Sequence, residues 1–258
     1  NTSYYYMRSS ELIQAQERSV GEKFKNRDTI YANPGDMEHL RNLSHNELQD
    51  IVVTVYHSWE VSKHKILKID QTNNKIIING QTRWPIQWLG IKQRYILENY
   101  RSALDSPGEW FLNKEGILYY YPKINENIRN FVAEAPSGME TLVMFKGQPE
   151  DNKFVKYITF KGLTFCYSES RLPEKGNSDM QAAVGVSATI IADGAQHINF
   201  QDCEISHTGN YGLWFRQGCS QCKVVHCYIH DLGAGGIKIG EPGIRKDRNQ
   251  LTEKITIE

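Results

Sequence analysis

The chain has no net charge: its 258 residues carry 30 Lys and Arg against 30 Asp and Glu. No overall field therefore draws it to nucleic acid or to an anionic membrane surface. It also lacks any apolar run long enough to span a bilayer. The opening residues, Asn1-Thr2-Ser3-Tyr4-Tyr5-Tyr6-Met7, contain neither an initiator Met nor a basic segment followed by an apolar one. No signal peptide is visible there, and the natural N-terminus is expected to lie upstream. There is no Walker-type phosphate loop, and Gly233-Ala234-Gly235-Gly236 reads as a turn, so no nucleotide cofactor is implied. A cluster of Asp residues suited to Ca2+ is missing as well. What remains is a chain long enough to bury a real core, as one large domain or two modest ones.

That core announces itself as a repeat. The segment His197-Ile198-Asn199-Phe200-Gln201-Asp202-Cys203-Glu204-Ile205-Ser206, moved along by 24 positions, falls on Gln221 to His230. Cys203 then meets Cys227, Ile205 meets Ile229, Gly209 meets Gly233 and Gly212 meets Gly236. Leu213 and Phe215 meet Ile237 and Ile239. An earlier copy, Ile158 to Phe165, matches at an offset of 40, the extra residues forming a polar loop around Arg171 to Asp179. A last copy starts at Lys254-Ile255-Thr256-Ile257-Glu258. Each copy holds short alternating apolar stretches between Gly, Asn and Asp turns, with no room for a crossover helix. Stacked turns of short strands are a solenoid. Leucine-rich repeats would need Leu at fixed spacing and an Asn ladder, which are absent. The expected fold is all-β, a right-handed parallel β-helix over residues 131–258. It is preceded by a β-rich accessory subdomain over residues 1–130 with a polar, partly helical start.

Within that first part, weak helical patterning covers Ser9 to Glu22 and Asp36 to Asp50. Strands are expected at Ile51 to Tyr56, Lys65 to Ile69 and Lys75 to Ile78, with a turn at Asp70 to Asn74. A further hairpin is expected from Glu109 to Asn113 and Ile117 to Pro122. Val132-Ala133-Glu134-Ala135-Pro136 reads as a first coil.

Several runs carry a family resemblance. They are Leu97 to Trp110 leading to Leu118-Tyr119-Tyr120-Tyr121-Pro122, Gly162-Leu163-Thr164-Phe165, Gly209 to Arg216, and, most specifically, Ile229 to Glu241. Together they resemble glycoside hydrolase family 141, large β-helix proteins of polysaccharide-degrading bacteria, over about Val52 to Glu241. The resemblance implies hydrolysis of a fucoside-, xylan- or pectin-type glycan by general acid/base chemistry. It also implies a secreted, periplasmic or cell-surface location for the full-length protein. In that family the β-helix continues for several coils, so the main carboxylate pair is expected beyond residue 258, leaving one wall of the site here. A polysaccharide lyase and a non-catalytic glycan-binding β-helix remain alternatives, because fold alone does not fix function.

The residues offer their own candidates. Alternation that turns Leu213, Phe215, Ile237 and Ile239 inward turns Trp214, Arg216 and Lys238 outward. An indole beside cations suits a sugar: the ring takes the apolar face, and the cations take hydroxyls or uronate carboxylates. Packing of Trp214 under a loop is the competing reading. Glu241 and Asp231 are the nearest acids and the candidate catalytic pair; such pairs stand about 5 Å apart for retention and about 6.5–9.5 Å for inversion. Asp231 also begins a Gly-rich turn, which it would serve by capping. His57 and Trp59, read as sharing one strand face, are candidate substrate contacts, with burial as core the alternative. Cys219, Cys222 and Cys227 with His226 and His230 suggest zinc, but the inward ladder positions favour buried free thiols, and no metal is expected. The ligand expected is an oligo- or polysaccharide. A solenoid cut inside a strand is also expected to self-associate through its open coil.

Overall fold

The computed structural model describes residues 5–7, 27–86, 93–136 and 138–258, so the helical patterning expected at Ser9 to Glu22 lies outside the described residues. The chain divides into two compact units. The first holds residues up to Val132 together with Leu172–Ala183, and the second holds Ala133–Arg171 and Val184–Glu258. Among the described residues no helix is long and apolar enough to cross a membrane.

The first unit is an antiparallel sheet ordered Tyr5–Tyr6, Arg94–Glu98, Val52–Tyr56, Val61–Asp70, Lys75–Ile78, Thr29–Tyr31. Alternation at period two puts Val53, Val55, Ile66, Ile76, Ile78, Tyr95 and Leu97 into one core with Met37, Leu40 and Ile51. Asp70 pairs with Lys75 across the turn, where Asn74 takes the left-handed conformation that Asn tolerates. The patterning from Asp36 to Asp50 resolves into a 3-10 turn, Gly35–Leu40, and a short helix, His45–Asp50. Ser44 starts that helix because its hydroxyl accepts from Glu47 N while the Glu47 carboxylate accepts from Ser44 N. Trp110–Leu112 and Leu118–Tyr120 form the second hairpin.

The second unit is a solenoid of three parallel sheets. The first sheet stacks Val143–Lys146, Ala188–Asp193, Tyr211–Phe215 and Ile237–Ile239. The second stacks Val155–Lys161, Ala195–Gln201, Lys223–Val225 and Thr256–Ile257, and the third Thr164–Cys166, Glu204–Thr208 and Tyr228–Leu232. Repeat offsets read from the sequence are the observed registers: Phe160 on Phe200 on Val224, Phe165 on Ile205 on Ile229, Leu213 on Ile237 and Trp214 on Lys238. Phe145, Phe160, Phe165 and Phe200 pack together in the lumen, Phe160 and Phe200 parallel at 5.2 Å. Ile237 and Ile239 take the inward positions of their strand, and Ile239 is 48% exposed because no described strand stacks on it.

One boundary differs from expectation. Val132 to Pro136 pairs with nothing as a strand and is exposed, and the first solenoid strand is Val143–Lys146. Pro136 has no N–H to give a ladder, whereas Phe145 supplies the ring that fills the lumen against Ala192. Gly209 and Gly233 do stack: a Cβ on Gly233 would lie 2.1 Å from the Gly209 carbonyl oxygen, so only glycine fits.

Candidate functional site

The outer face of the first solenoid sheet gathers five ionisable groups and an indole. Alternation along Tyr211–Phe215 buries Leu213 and Phe215 and turns Trp214 out, with Arg216 next along the chain. The Arg216 guanidinium lies between two carboxylates. Its Nη1 donates to Asp193 Oδ2 at 3.3 Å, and its Nε and Nη2 donate to Glu241 Oε1 at 3.3 and 3.1 Å. Arg245 Nη2 donates to the other Glu241 oxygen at 2.5 Å. Burial alone would raise the Glu241 carboxyl, but the hydrogen bonds and charges of Arg245 and Arg216 outweigh it and hold it below the usual range. Asp193 goes the other way: burial pushes its carboxyl up despite Arg216, and Glu241 and Glu150 add to the rise. Its Oδ1 is buried without a hydrogen-bond partner. Two carboxyls on one arginine are thus poised in opposite directions.

Lys238 stands over Trp214, its Nζ 3.3 Å from the ring centroid, and donates to the carbonyls of Val184 and Val186 at 3.0 and 2.6 Å. Trp214 Nε1 donates to Gly240 O at 2.8 Å. One indole face is therefore covered by the ammonium and the ring N–H is engaged. Trp214, Arg216, Lys238 and Glu241 come together.

Asp231 does not join them. It lies on the third sheet, mostly exposed, and pairs with His207 Nδ1. Tyr167, His207 and Asp231 occupy the same corner of three successive coils with φ of 60°, 50° and 52°, and the Tyr167 and His207 rings stack at 5.5 Å. Its side chain binds the neighbouring coil's imidazole, an alternative to capping the turn.

His57 and Trp59 lie in the first unit, and they do not share a strand face. Strand Val52–Tyr56 stops before them, and His57 N donates to Glu60 O at 2.9 Å, closing a tight hairpin turn. The imidazole is 3% exposed and Trp59 43% exposed, and both line one small cavity with Trp84 and Pro85. His57 Nε2 meets Ser62 Oγ at 2.9 Å, and burial, aided by His64, lowers its pKa to about 4. Trp59 sets its ring edge-on to Trp84 at 5.2 Å.

The five cysteines are free, and Cys203, Cys219 and Cys222 are buried. Burial pushes the Cys219 thiol up to about 12, which suits an inert small hydrophobe. Among the described residues no group of three or more His, Cys, Asp or Glu converges as a metal site.

Sequence reasoning missed Asp193. The signal was present, since Ile191 registers with Trp214 and Ala192 with Phe215, but the strand Ala188–Asp193 is buried along nearly its whole length, and its outward face mixes Thr189 and Asp193 with Ile191, which blurs the alternation.

Comparisons with known proteins agree with this architecture. Residues 146–252 match the family model described as a right handed beta helix region. No curated protein matches the chain. A solved structure described as a glycoside hydrolase aligns with a TM-score of 0.72 at 17% sequence identity, covering 99% of this chain and 51% of that one. The chain thus spans about half the length of that structure. At such identity the likeness establishes the fold, and the solenoid is a right-handed parallel β-helix.

Proposed function

We propose that this protein is part of a glycoside hydrolase, and that the outer face of its first solenoid sheet forms one wall of the glycan groove. The observation that carries the reading is Arg216 held between Asp193 and Glu241 beside Trp214. Support comes from the fold, which a glycoside hydrolase of twice the length shares. Glycoside hydrolysis needs one ionised and one protonated carboxyl at the bond. Glu241, held ionised by two arginines, fits the base or nucleophile. Asp193, whose Oδ1 is closed to solvent, fits a positioning residue that fixes Arg216, and the proton donor is then a further carboxyl of the full-length protein. Arg216 and Arg245 suit sugar hydroxyls or a uronate, and the exposed part of Trp214 suits a pyranose face.

A lyase on the same face is less well supported. Its base would be Lys238 or Arg216, yet Lys238 Nζ is engaged by the carbonyls of Val184 and Val186, and Arg216 by Asp193 and Glu241.

Fucosides, xylans and pectic fragments are the substrates to test, with the natural full-length protein and its Glu241→Gln variant. The variant should turn over about 10²–10⁴-fold more slowly. Undiminished turnover would remove Glu241 from the chemistry, and binding without turnover by the unaltered protein would leave a glycan-binding solenoid.

A further inference from the structure

A cavity of the first unit is lined by none of the residues assigned above. It is a half-open cleft of about 630 Å³ walled by the end of strand Arg94–Glu98, the following turn and the start of strand Trp110–Leu112. That size lies within the range of small-ligand sites, about 300–1,000 Å³.

Its lining has a definite chemistry. Trp110 stands at the rim with 63% of its surface exposed, a large flat apolar ring turned to solvent. Tyr5 and Tyr100 add two more rings. Three carboxylates, Glu98, Asp105 and Glu109, line the cleft with His39, and among the described residues no lysine or arginine lines it, although Lys63 pairs with Glu98 from outside at 3.4 Å. Glu109 Oε2 accepts from Asp105 N and Ser106 N, both at 3.0 Å, which ties the wall between the two strands into one shape. Glu98 is anchored by Thr54 Oγ1 at 2.5 Å. The cleft is thus preformed, with carboxylate acceptors whose positions are set by neighbouring groups.

Carboxylates only accept hydrogen bonds, so the lining favours a ligand rich in hydroxyl donors. Lys63 offsets Glu98, and the remaining negative charge of Asp105 and Glu109 disfavours uronates and sulfated sugars. An exposed indole supplies the stacking surface for the apolar face of a pyranose. We infer that this cleft is a second, non-catalytic glycan site that takes neutral oligosaccharides and excludes acidic ones. It deepens the glycan-active reading of the protein, and places on the first unit a hold on the polymer that is separate from the solenoid wall.

Calorimetric titration of the full 258-residue chain with xylotetraose, a fucosylated neutral oligosaccharide and a galacturonan tetramer tests it. At least one neutral probe should bind, and any binding of the galacturonan tetramer should be untouched by Trp110→Ala. Trp110→Ala and, separately, Asp105→Asn should each weaken the neutral probe about tenfold. Near-ultraviolet circular dichroism checks that each variant keeps its fold. Absence of binding by every neutral probe, galacturonan binding that Trp110→Ala weakens, or neutral-probe binding untouched in both cleft variants would overturn the inference. Hydrolysis lost in Glu241→Gln with neutral-sugar binding intact separates this site from the solenoid reading. Trp110-dependent binding in a protein that hydrolyses nothing would refute the hydrolase reading and leave this one standing.

Discussion

Acid should loosen the first unit through His57. Its imidazole is 3% exposed and titrates at about 4 in the folded chain, against an ordinary value of 6.5, because burial penalises the charged ring and His64 adds repulsion. A group with a lower pKa folded than unfolded binds fewer protons when folded, so protons favour unfolding. The loss begins as pH falls below 6.5 and is complete below about 4. That gap corresponds to about 3 kcal/mol, at about 1.4 kcal/mol per pH unit. His64, also lowered by burial, acts in the same direction. Glu60, 3.9 Å from His57 Nε2, opposes both, since burial raises its carboxyl and the folded chain takes that proton first. A difference measurement isolates His57. Urea unfolding of the unaltered chain and of His57→Gln at pH 7 and pH 4 should show the unaltered chain losing about 3 kcal/mol more across the window. Equal losses in the two proteins would refute a buried neutral imidazole at this position.

Two further predictions concern the solenoid. Phe200→Ala removes a fully buried ring stacked on Phe160 and should destabilise by about 3–5 kcal/mol in urea or thermal unfolding; a loss below about 1 kcal/mol would contradict the packed lumen. Gly233→Ala drives a methyl to within 2.1 Å of the Gly209 carbonyl and should cost about 2 kcal/mol or more, while Gly243→Ala, with nothing near it, should stay within about 0.5 kcal/mol.

The solenoid was legible because its inward positions are the apolar ones. Ile205 on Ile229 and Leu213 on Ile237 could be found by sliding the sequence against itself, since each coil must refill the same lumen. The hairpins of the first unit were legible from alternation and from turns such as Asp70 to Asn74. Elsewhere the local signal was ambiguous. Val132 to Pro136 is apolar enough to pass for a strand but joins no sheet among the described residues, and the first coil instead begins at Val143–Lys146, where Phe145 registers with Ala192. His57 and Trp59 sit two apart, as strand neighbours on one face would, and only the backbone bond from His57 to Glu60 shows that they lie in a turn instead. The Arg216 cluster was half visible: Trp214 and Lys238 follow from register, whereas Asp193 joins through a strand whose alternation is blurred. Asp231 is held by a corner column in which Tyr, His and Asp carry the positive φ that glycine would advertise.

The corner between the second and third sheets has one more consequence. In all three coils exactly the same connection recurs, a left-handed residue (Gly162, Asp202, His226) and then one partner, before the next strand begins. Successive coils nevertheless advance by 40, 24 and 33 residues at the register of Phe160, Phe200, Val224 and Ile257. All the length variation is absorbed at the other two corners, chiefly in residues 167–187 and 240–255. Insertions at those corners leave the stacked lumen undisturbed, and the loop that carries Glu241 lies in one of them. Divergence among such chains can therefore change what borders the first sheet without renegotiating the fold, and an insertion scan would find the two-residue corner closed to extra residues and the others open.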